Sequence, residues 1–213
     1  MNNNKNDFFV DSSLLTGGIV LNEETREKLR AHCALIREWN EYAGLVSRSE
    51  VEALEANHVV DSLSLAPIVS RLTEGRGELL DIGSGGGFPA LPLKILFPML
   101  QVVLVERSER KVGFLRGAVG SLALEGVEIV RGEFPAAVAD RSPRLITARA
   151  VEKPEQIYKR VIAFLPEGSS FLCQSGVSMR LPRSFHVEHV RDVWSEQGWR
   201  RGDLDIITRV GEA

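Results

Sequence analysis

A run of apolar residues that gives way abruptly to glycine limits the fold of this chain more than any other feature. Residues 78–82 (ELLDI) have the composition of a short buried strand, and residues 83–87 (GSGGG) hold four glycines in five positions. Glycine allows sharp turns and close approach of a ligand, because it has no Cβ. Residues 90–97 then follow helical spacing, and the first turn of a helix offers unpaired N–H groups. A strand, a glycine loop and a helix in this order predict a site for a nucleotide-like ligand.

Strands and helices alternate along the rest of the chain. The pattern predicts further strands at 101–106, 127–131, 145–148, 170–173, 185–193 and 204–210, and helices at 108–124, 134–139 and 154–164. Such alternation is typical of a mainly parallel sheet with helices on both faces. We therefore expect a Rossmann-like α/β domain with a seven-stranded sheet over residues 76–213.

The residues before this domain have a helical pattern. Apolar residues recur at helical spacing over 22–42 and about 49–72. Asn22 is suited to cap the first helix, and Pro67 is expected to break or kink the second. We expect residues 1–75 to form a helical N-terminal extension packed on the main domain, with residues 1–10 as a flexible lead.

Composition argues against several classes of protein. The net charge of −3 gives no general reason to expect a nucleic-acid-binding protein. No apolar run reaches the roughly 18 residues that span a bilayer, and no signal core follows the polar start. We expect a cytoplasmic monomer without a membrane segment. The two cysteines and four histidines are too scattered for a metal site, so no metal is expected.

The spacing of the glycines discriminates between cofactors. A dinucleotide fingerprint requires G-x-G-x-x-G. Counted from Gly83, the third glycine position holds Phe88; counted from Gly85 it holds Ala90, which that fold tolerates. NAD is therefore disfavoured but stays open. A phosphate loop requires Gly-Lys-Ser/Thr at its end, and the chain has no such sequence there.

The loop instead resembles that of class I methyltransferases, whose cofactor is S-adenosylmethionine. Asp81 precedes the glycines, and Glu106 ends the next strand at the spacing of about 20 residues that suits a ribose-binding acid. The likeness implies that Asp81 meets the ammonium group of the cofactor and that Glu106 accepts hydrogen bonds from the ribose hydroxyls, although NAD enzymes share the second acid. The cofactor-binding residues predicted in the loop are Asp81, Gly83, Ser84, Gly85, Gly87 and Phe88.

The residues near the fourth predicted strand reduce the number of chemical groups that could accept the methyl group. Enzymes that methylate exocyclic amines usually carry Asp/Asn-Pro-Pro-aromatic at this point, and residues 145–151 (LITARAV) do not. Pyrimidine carbon methylation needs a nucleophilic cysteine, and neither cysteine lies in such a motif. Guanine N7 already has a lone pair and needs no proton removed, so positioning and charge stabilisation suffice. Arg149 is suited to that work, with a surface ion pair as the alternative.

Most of the chain, about residues 30–210, resembles the RsmG family, once called glucose-inhibited division protein B, which methylates guanine N7 in bacterial 16S ribosomal RNA. The most specific piece is residues 80–93 (LDIGSGGGFPALPL), because F-P-x-x-P-L after the glycines is unusual elsewhere. Residues 39–40 (WN), 58–62 (HVVDS), 110–116 (RKVGFLR) and 147–151 (TARAV) resemble further family segments in the same order. The chain departs from the family pattern at residues 44–46, at Asn57 and at residues 174–176.

The resemblance implies an S-adenosylmethionine-dependent methyltransferase acting on 16S ribosomal RNA of the small ribosomal subunit. It also implies cofactor contacts from Gly83, Phe88, the segment of Glu133, Phe134 and Pro135, and Arg149. Phe134 either stacks on adenine or belongs to the core. Arg149 either holds the cofactor carboxylate or acts as a catalytic residue toward the RNA, and the sequence leaves both roles open.

Two further groups of residues are candidates for function. His58, a catalytic candidate, lies three residues before Asp61 on one helical face, a spacing that a helix-packing hydrogen bond also explains. Four cations surround the start of one predicted helix and are predicted to bind RNA phosphates, with a solvated helix face as the alternative. These are Arg107, Arg110, Lys111 and Arg116. Three other functions stay open: methylation of a small molecule or protein, cofactor binding without catalysis on the ribosome, and NAD-dependent oxidation.

Overall fold

A seven-stranded sheet organises the chain. The computed structural model describes residues 21–149, 153–174 and 181–211. The strands are β1 (Glu78–Ile82), β2 (Gln101–Glu106), β3 (Val127–Arg131), β4 (Leu145–Ala148), β5 (Ser170–Cys173), β6 (Phe185–Val190) and β7 (Leu204–Arg209). Their order is β3-β2-β1-β4-β5-β7-β6. The first five strands are parallel, and β7 pairs antiparallel with both β5 and β6. The predicted mainly parallel α/β fold is confirmed.

The strand order places a ligand crevice at one edge of this sheet. The chain runs outward from β1 to β2 and β3, then returns across β1 to begin β4 on its other side. Ligands bind outside the carboxyl ends of the strands at such a reversal, because the connecting loops diverge there. The carboxyl ends of β1 and β4 are Ile82 and Ala148, which lie opposite each other in the sheet.

Helices cover both faces of the sheet. The helices are α1 (Glu23–Ala43), α2 (Val60–Leu63), α3 (Ala66–Thr73), α4 (Ala90–Leu96), α5 (Glu109–Ser121), α6 (Pro154–Phe164) and α7 (Val193–Glu196). Leu29 and Ile36 of α1 share one buried core with Leu91 of α4 and Phe114 of α5. Tyr158 and Val161 of α6 belong to a second core on strand residues such as Ile146. The helices before the sheet therefore pack in the same core as α4 and α5.

Local hydrogen bonds fix both ends of α1. The Asn22 side chain accepts a hydrogen bond from the Thr25 amide at 2.8 Å, as predicted for a helix cap. At the other end Gly44 adopts a left-handed conformation with φ of 60°. The Asn40 side chain accepts hydrogen bonds from the amides of Leu45 and Val46, so it holds the turn that follows the helix.

The segment over about 49–72 is helical, as predicted, but it is not one regular helix with a break or kink at Pro67. The chain there forms a 3-10 helix (Arg48–Ala53), a π-helical turn (Glu55–Val59), and then α2 and α3. Hydroxyl groups compete for the backbone carbonyls, since Ser64 Oγ donates to the carbonyl of Asp61 at 2.6 Å. Pro67 occupies the first turn of α3, where its missing N–H costs nothing.

Three other expected elements have clearly different bounds. The helix predicted over 108–124 ends at Ser121. The strand predicted over 185–193 ends at Val190, because Asp192 caps α7 in a reciprocal pair of hydrogen bonds with Ser195. The helix predicted over 134–139 is a single 3-10 turn, Ala136–Val138. The expectations for residues 1–10 fall outside the described residues. Within the described ranges no helix is long and apolar enough to cross a membrane.

A buried arginine, Arg200, joins the segment before β7 to the residue that follows α2. The Arg200 side chain is fully enclosed and donates through both terminal nitrogens to the Asp192 carboxylate, at 2.9 and 2.7 Å. It also donates to the hydroxyl and carbonyl oxygens of Ser64. These bonds hold the segment before β7 against the helices of the first core.

We expect Arg200→Met to lower the free energy of unfolding by about 3 kcal/mol, because the partly buried Asp192 carboxylate loses its counterion and the buried oxygens of Ser64 lose a charged donor. Arg71→Met is the matched control, since it breaks the exposed pair with Glu188 and should cost less than about 1 kcal/mol. Urea denaturation of both variants measures the difference. Equal losses in the two variants would show that the buried arginine has no special role.

Candidate functional site

The glycine loop after β1 has a backbone that other residues adopt with difficulty. Gly83, Gly85 and Gly87 all have positive φ, at 70°, 51° and 81°. A Cβ on Gly87 would also lie 2.5 Å from Cδ1 of Leu91, so this position has no room for a side chain. The amides of Gly83 and Ser84 donate to the carbonyl of Val105, which fastens the loop to the end of β2.

Asp81 lies under this loop, and one oxygen of its buried carboxylate accepts no hydrogen bond. Its Oδ1 accepts a hydrogen bond from Thr147 Oγ1 at 2.7 Å, while its Oδ2 is buried without a partner. Burial raises the pKa of Asp81 to about 7, and the hydrogen bond from Thr147 and the charge of Arg149 oppose that rise. An orphaned buried carboxylate oxygen is expensive, so this atom fits a cationic ligand group.

Glu106 connects the glycine loop to the start of α5. Its Oε2 accepts a hydrogen bond from the Gly85 amide at 3.0 Å, and its Oε1 accepts one from the Ser108 amide at 2.8 Å. The carboxylate is buried at the end of β2. Each carboxylate oxygen can accept more than one hydrogen bond, so Glu106 can hold the loop and still receive ligand hydroxyls.

A cavity of about 380 Å³ opens beside these residues at the carboxyl edge of the sheet. It gathers Gly83, Glu106, Glu133 and Phe134 from the predicted cofactor set, and other lining residues come from the starts of α5 and α6. Phe134 belongs to the core, as one of its two predicted roles requires, and its role toward adenine stays a prediction. It lines the cavity, and its ring packs edge-on against Phe164 with 5.0 Å between centroids. The other residues of the predicted cofactor set do not line this cavity; they are Asp81, Ser84, Gly85, Gly87, Phe88, Pro135 and Arg149.

Arg149 follows β4 and is held in one position by two side chains from the helical segment. Its Nη1 donates to Asp61 Oδ2, and its Nη2 lies 3.1 Å from His58 Nδ1. The guanidinium also lies over the ring of Phe88, 5.7 Å from the centroid. The sequence placed Arg149, His58 and Phe88 in the site separately, and the structure brings them together.

Asp61 is the centre of this group. It is buried, and besides Arg149 it accepts hydrogen bonds from Gln174 Nε2 at 3.2 Å and from the backbone amide of Arg201 at 2.6 Å. The donors come from the ends of β4 and β5 and from the segment before β7. Asp61 lies 88 residues from Arg149 and 140 from Arg201, so no local pattern in the sequence indicates these contacts.

His58 is neutral in this arrangement. A guanidinium has only donors, so Nδ1 must be the acceptor and Nε2 carries the proton. Burial lowers the pKa of His58 to about 4, and the charge of Arg149 acts in the same direction. Nε2 is buried without a hydrogen-bond partner, 3.5 Å from a carboxylate oxygen of Glu50. Its ring stacks on Phe88 with 5.0 Å between centroids.

His32 is a site residue that sequence reasoning missed. It lies on α1, fully buried, with Nε2 2.8 Å from the carbonyl oxygen of Gly86 in the glycine loop. Nε2 is therefore the protonated donor, and burial lowers the pKa of the ring to about 4. Its ring centroid lies 4.9 Å from that of Phe88, so Phe88 has a histidine within 5.0 Å on each of two helical segments. A helical face of apolar residues gives no sign of such a contact.

The four predicted RNA-binding cations do not form one surface. Arg107 and Lys111 line the cavity. Arg110 contacts Tyr42 of α1 instead, with its guanidinium 5.9 Å from the ring centroid. Arg116 is exposed farther along α5, roughly 120° around the helix from Arg110. Among the described residues, no group of three histidines, cysteines or acids is placed to hold a metal.

Comparisons with known proteins agree with this architecture. The family model described as rRNA small subunit methyltransferase G, GidB, matches residues 25–180. Two relatives are named ribosomal RNA small subunit methyltransferase G. That of Leuconostoc mesenteroides is 33% identical over 80% of this chain and 73% of its own length, and that of Neisseria meningitidis serogroup A is 31% identical over 82% and 84%.

A solved structure supports the fold. A putative O-methyltransferase from Klebsiella pneumoniae aligns with a TM-score of 0.59 and 15% identity over 95% of this chain and 96% of that one. At that identity the likeness concerns the fold alone. The family match extends from α1 through β5 and includes the glycine loop, Asp61 and Arg149. The chain therefore belongs to the GidB family of ribosomal RNA small subunit methyltransferases.

Proposed function

We propose that this protein transfers a methyl group from S-adenosylmethionine to N7 of a guanine in 16S ribosomal RNA of the small ribosomal subunit. The observation that carries the proposal is the site around the glycine loop in a chain of this family. Glu106 lines a cavity there, and the unsatisfied carboxylate of Asp81 is buried directly before the lining residues Ile82 and Gly83. Small molecules and proteins are the alternative acceptors. Cofactor binding without catalysis is the alternative activity.

The residues present fit S-adenosylmethionine. Asp81 offers its free oxygen to the ammonium group, and Gly87 lets the loop pack directly against Leu91 of α4, where a Cβ would clash. Glu106 lies in the cavity wall to receive the ribose hydroxyls, with Phe134 as an apolar wall for adenine. When bound, S-adenosylmethionine supplies a methyl group on a positively charged sulfur.

The state of the side chains beside Arg149 favours an acceptor that needs no general base. His58 presents only a protonated nitrogen away from Arg149, and Asp61 is committed to three donors. Neither group is free to remove a proton. Guanine N7 attacks through an existing lone pair, so the enzyme's task is to hold base and cofactor in line.

The ion pair also suits the charge that moves in this reaction. Methyl transfer to N7 carries positive charge from sulfur onto the guanine ring, and an unpaired guanidinium would oppose that change. Asp61 offsets the charge of Arg149 at direct contact. We propose that Arg149 acts as a fixed donor, with the N–H groups that Asp61 and His58 leave free, and that His58 orients it.

The function is tested by incubating the protein with labelled S-adenosylmethionine and small ribosomal subunits from cells that lack it. We expect one methyl group per subunit, on N7 of a guanine, located by cleavage at the modified base. Labelled methyl groups found in protein or in small molecules, and not in the RNA, would contradict guanine N7 as the acceptor. Tight cofactor binding without any transfer would favour the non-catalytic alternative, and binding of NADH in place of S-adenosylhomocysteine would favour an oxidoreductase.

Cofactor affinity should rise with pH because Asp81 must lose its proton to meet the ammonium group. With a pKa of about 7, the ionised fraction grows about eightfold between pH 6 and pH 7.5, and the affinity for S-adenosylhomocysteine should grow by about the same factor. Calorimetry at constant ionic strength measures it. Asp81→Asn should bind weakly at every pH, while the exposed control Glu128→Gln should follow the wild type. A flat wild-type profile contradicts this assignment.

His32 should matter for cofactor affinity although it lies behind the loop. His32→Leu removes the donor to Gly86 and should weaken binding of S-adenosylhomocysteine at least about tenfold, since one misplaced loop disturbs every contact made by its backbone. His32→Gln keeps an N–H donor and should recover part of the loss. Cys33→Ala is the control, because Cys33 is equally buried on α1 and its polar interaction is with Glu55 instead of Gly86. If Cys33→Ala weakens binding as much, helix packing alone explains the effect.

A further inference from the structure

The mouth of the cofactor cavity is positively charged. Four lining residues are cations, Arg107, Lys111, Lys153 and Arg160, and two are acids, Glu106 and Glu133. This leaves an excess of two positive charges in a chain whose net charge is −3. The excess is therefore local, and it lies where a ligand larger than the cavity would meet the protein. We refer to these four cations as the basic rim.

The basic rim is built by two helices that approach the cavity from different parts of the chain. Lys111 is in the first turn of α5, after Arg107 in the preceding loop. On α6 the lining residues are Gln156, Ile157 and Arg160, whose spacings of one, three and four place them on one face, and Lys153 lies directly before the first residue of the helix. Lys159 lies on the same helix and is exposed, but does not line the cavity.

The acids of the cavity do not neutralise the two lysines. Glu106 is buried and directs its oxygens to the amides of Gly85 and Ser108. Glu133 pairs with Arg160, its Oε1 2.7 Å from Nη1. No described residue forms an ion pair with Lys111 or Lys153. These two ammonium groups are therefore available to an anionic ligand.

We propose that phosphates of the RNA substrate dock on the basic rim, with Lys111 and Lys153 as the principal contacts. This rests on the proposed function, because RNA is the polyanion that a ribosomal RNA methyltransferase must hold. The rim surrounds the cavity that Gly83 and Glu106 line, so an RNA backbone held there keeps its nucleotides beside the cofactor. The surface differs from the helix face predicted from the sequence, because α6 supplies half of it and Arg110 and Arg116 lie outside it.

The experiment measures binding of 16S ribosomal RNA and methylation of small subunits by the wild type, Lys111→Gln, Lys153→Gln and the double variant, at several salt concentrations. Each single change should lower the slope of log affinity against log salt by about 0.7, the value for one phosphate of single-stranded RNA, and reduce affinity about fivefold at 0.1 M salt. Lys159→Gln is the matched control on α6 and should behave like the wild type. Affinity for S-adenosylhomocysteine, measured by calorimetry, should fall by a smaller factor than RNA affinity in each lysine variant of the rim and should be unchanged in Lys159→Gln.

Two results would overturn the inference. One is an unchanged salt slope in the double variant; the other is a loss of S-adenosylhomocysteine affinity that equals the loss of RNA binding, since the lysines would then serve the cofactor. The proposed function fails separately, if the wild type binds the RNA without methylating it. In that case the slope of log RNA affinity against log salt concentration still tests the basic rim, because RNA binding can be measured without catalysis.

Discussion

The contact between Asp61 and Arg149 is the interaction on which the site depends. A buried carboxylate is stable in a protein only when donors surround it, and Asp61 receives them from the ends of β4 and β5 and from the backbone at Arg201. Asp61 therefore holds the segment after β4, the segment after β5 and the segment before β7 in fixed positions relative to one another. It also sets the position of Arg149, which in turn requires His58 to accept through Nδ1 and to remain neutral. Removing Asp61 would leave a buried guanidinium without its counterion.

The glycine loop depends on the same helices. Its backbone turns are intrinsic to glycine, but its position is set from outside, by His32 at the carbonyl of Gly86 and by Glu106 at the amide of Gly85. Phe88 then lies near both histidines and under Arg149. The loop proposed to bind the cofactor and the arginine proposed to serve the reaction thus share one aromatic contact. The glycine loop and Arg149 are therefore joined by the packing of Phe88 and by the charge of Arg149, which acts on Asp81 beneath the loop.

Much of the fold could be predicted from the sequence because its signals are local. Strand β1, the glycines after it and Glu106 lie within 29 consecutive residues, where alternation and spacing carry the information. The irregularity of the helical segment over 49–72 was missed, since its apolar spacing is helical while Ser64, Asp61 and their neighbours redirect the backbone hydrogen bonds. His32 contacts Gly86, 54 residues away along the chain, and Asp61 contacts Arg149, 88 residues away. Local patterns in one sequence do not indicate contacts between residues so far apart. The α6 half of the basic rim was missed because Lys153 and Arg160 resemble any solvated helix face.

Asp81 links the stability of the protein to its ligand. Its folded pKa of about 7 lies above the ordinary value of 3.8, so between these limits the folded chain binds the extra proton. Stability from this group is present at low pH and is lost as pH rises through about 7, because ionisation leaves a buried negative charge without a counterion. The ammonium group proposed to bind there offsets that charge at neutral pH. Above about pH 7, ionised Asp81 destabilises the ligand-free protein, but the same ionised carboxylate binds the ligand best. Part of the binding free energy therefore offsets this loss of stability. The basic rim does not relieve it, since Asp81 is buried behind the loop and the rim lysines stand at the open mouth of the cavity.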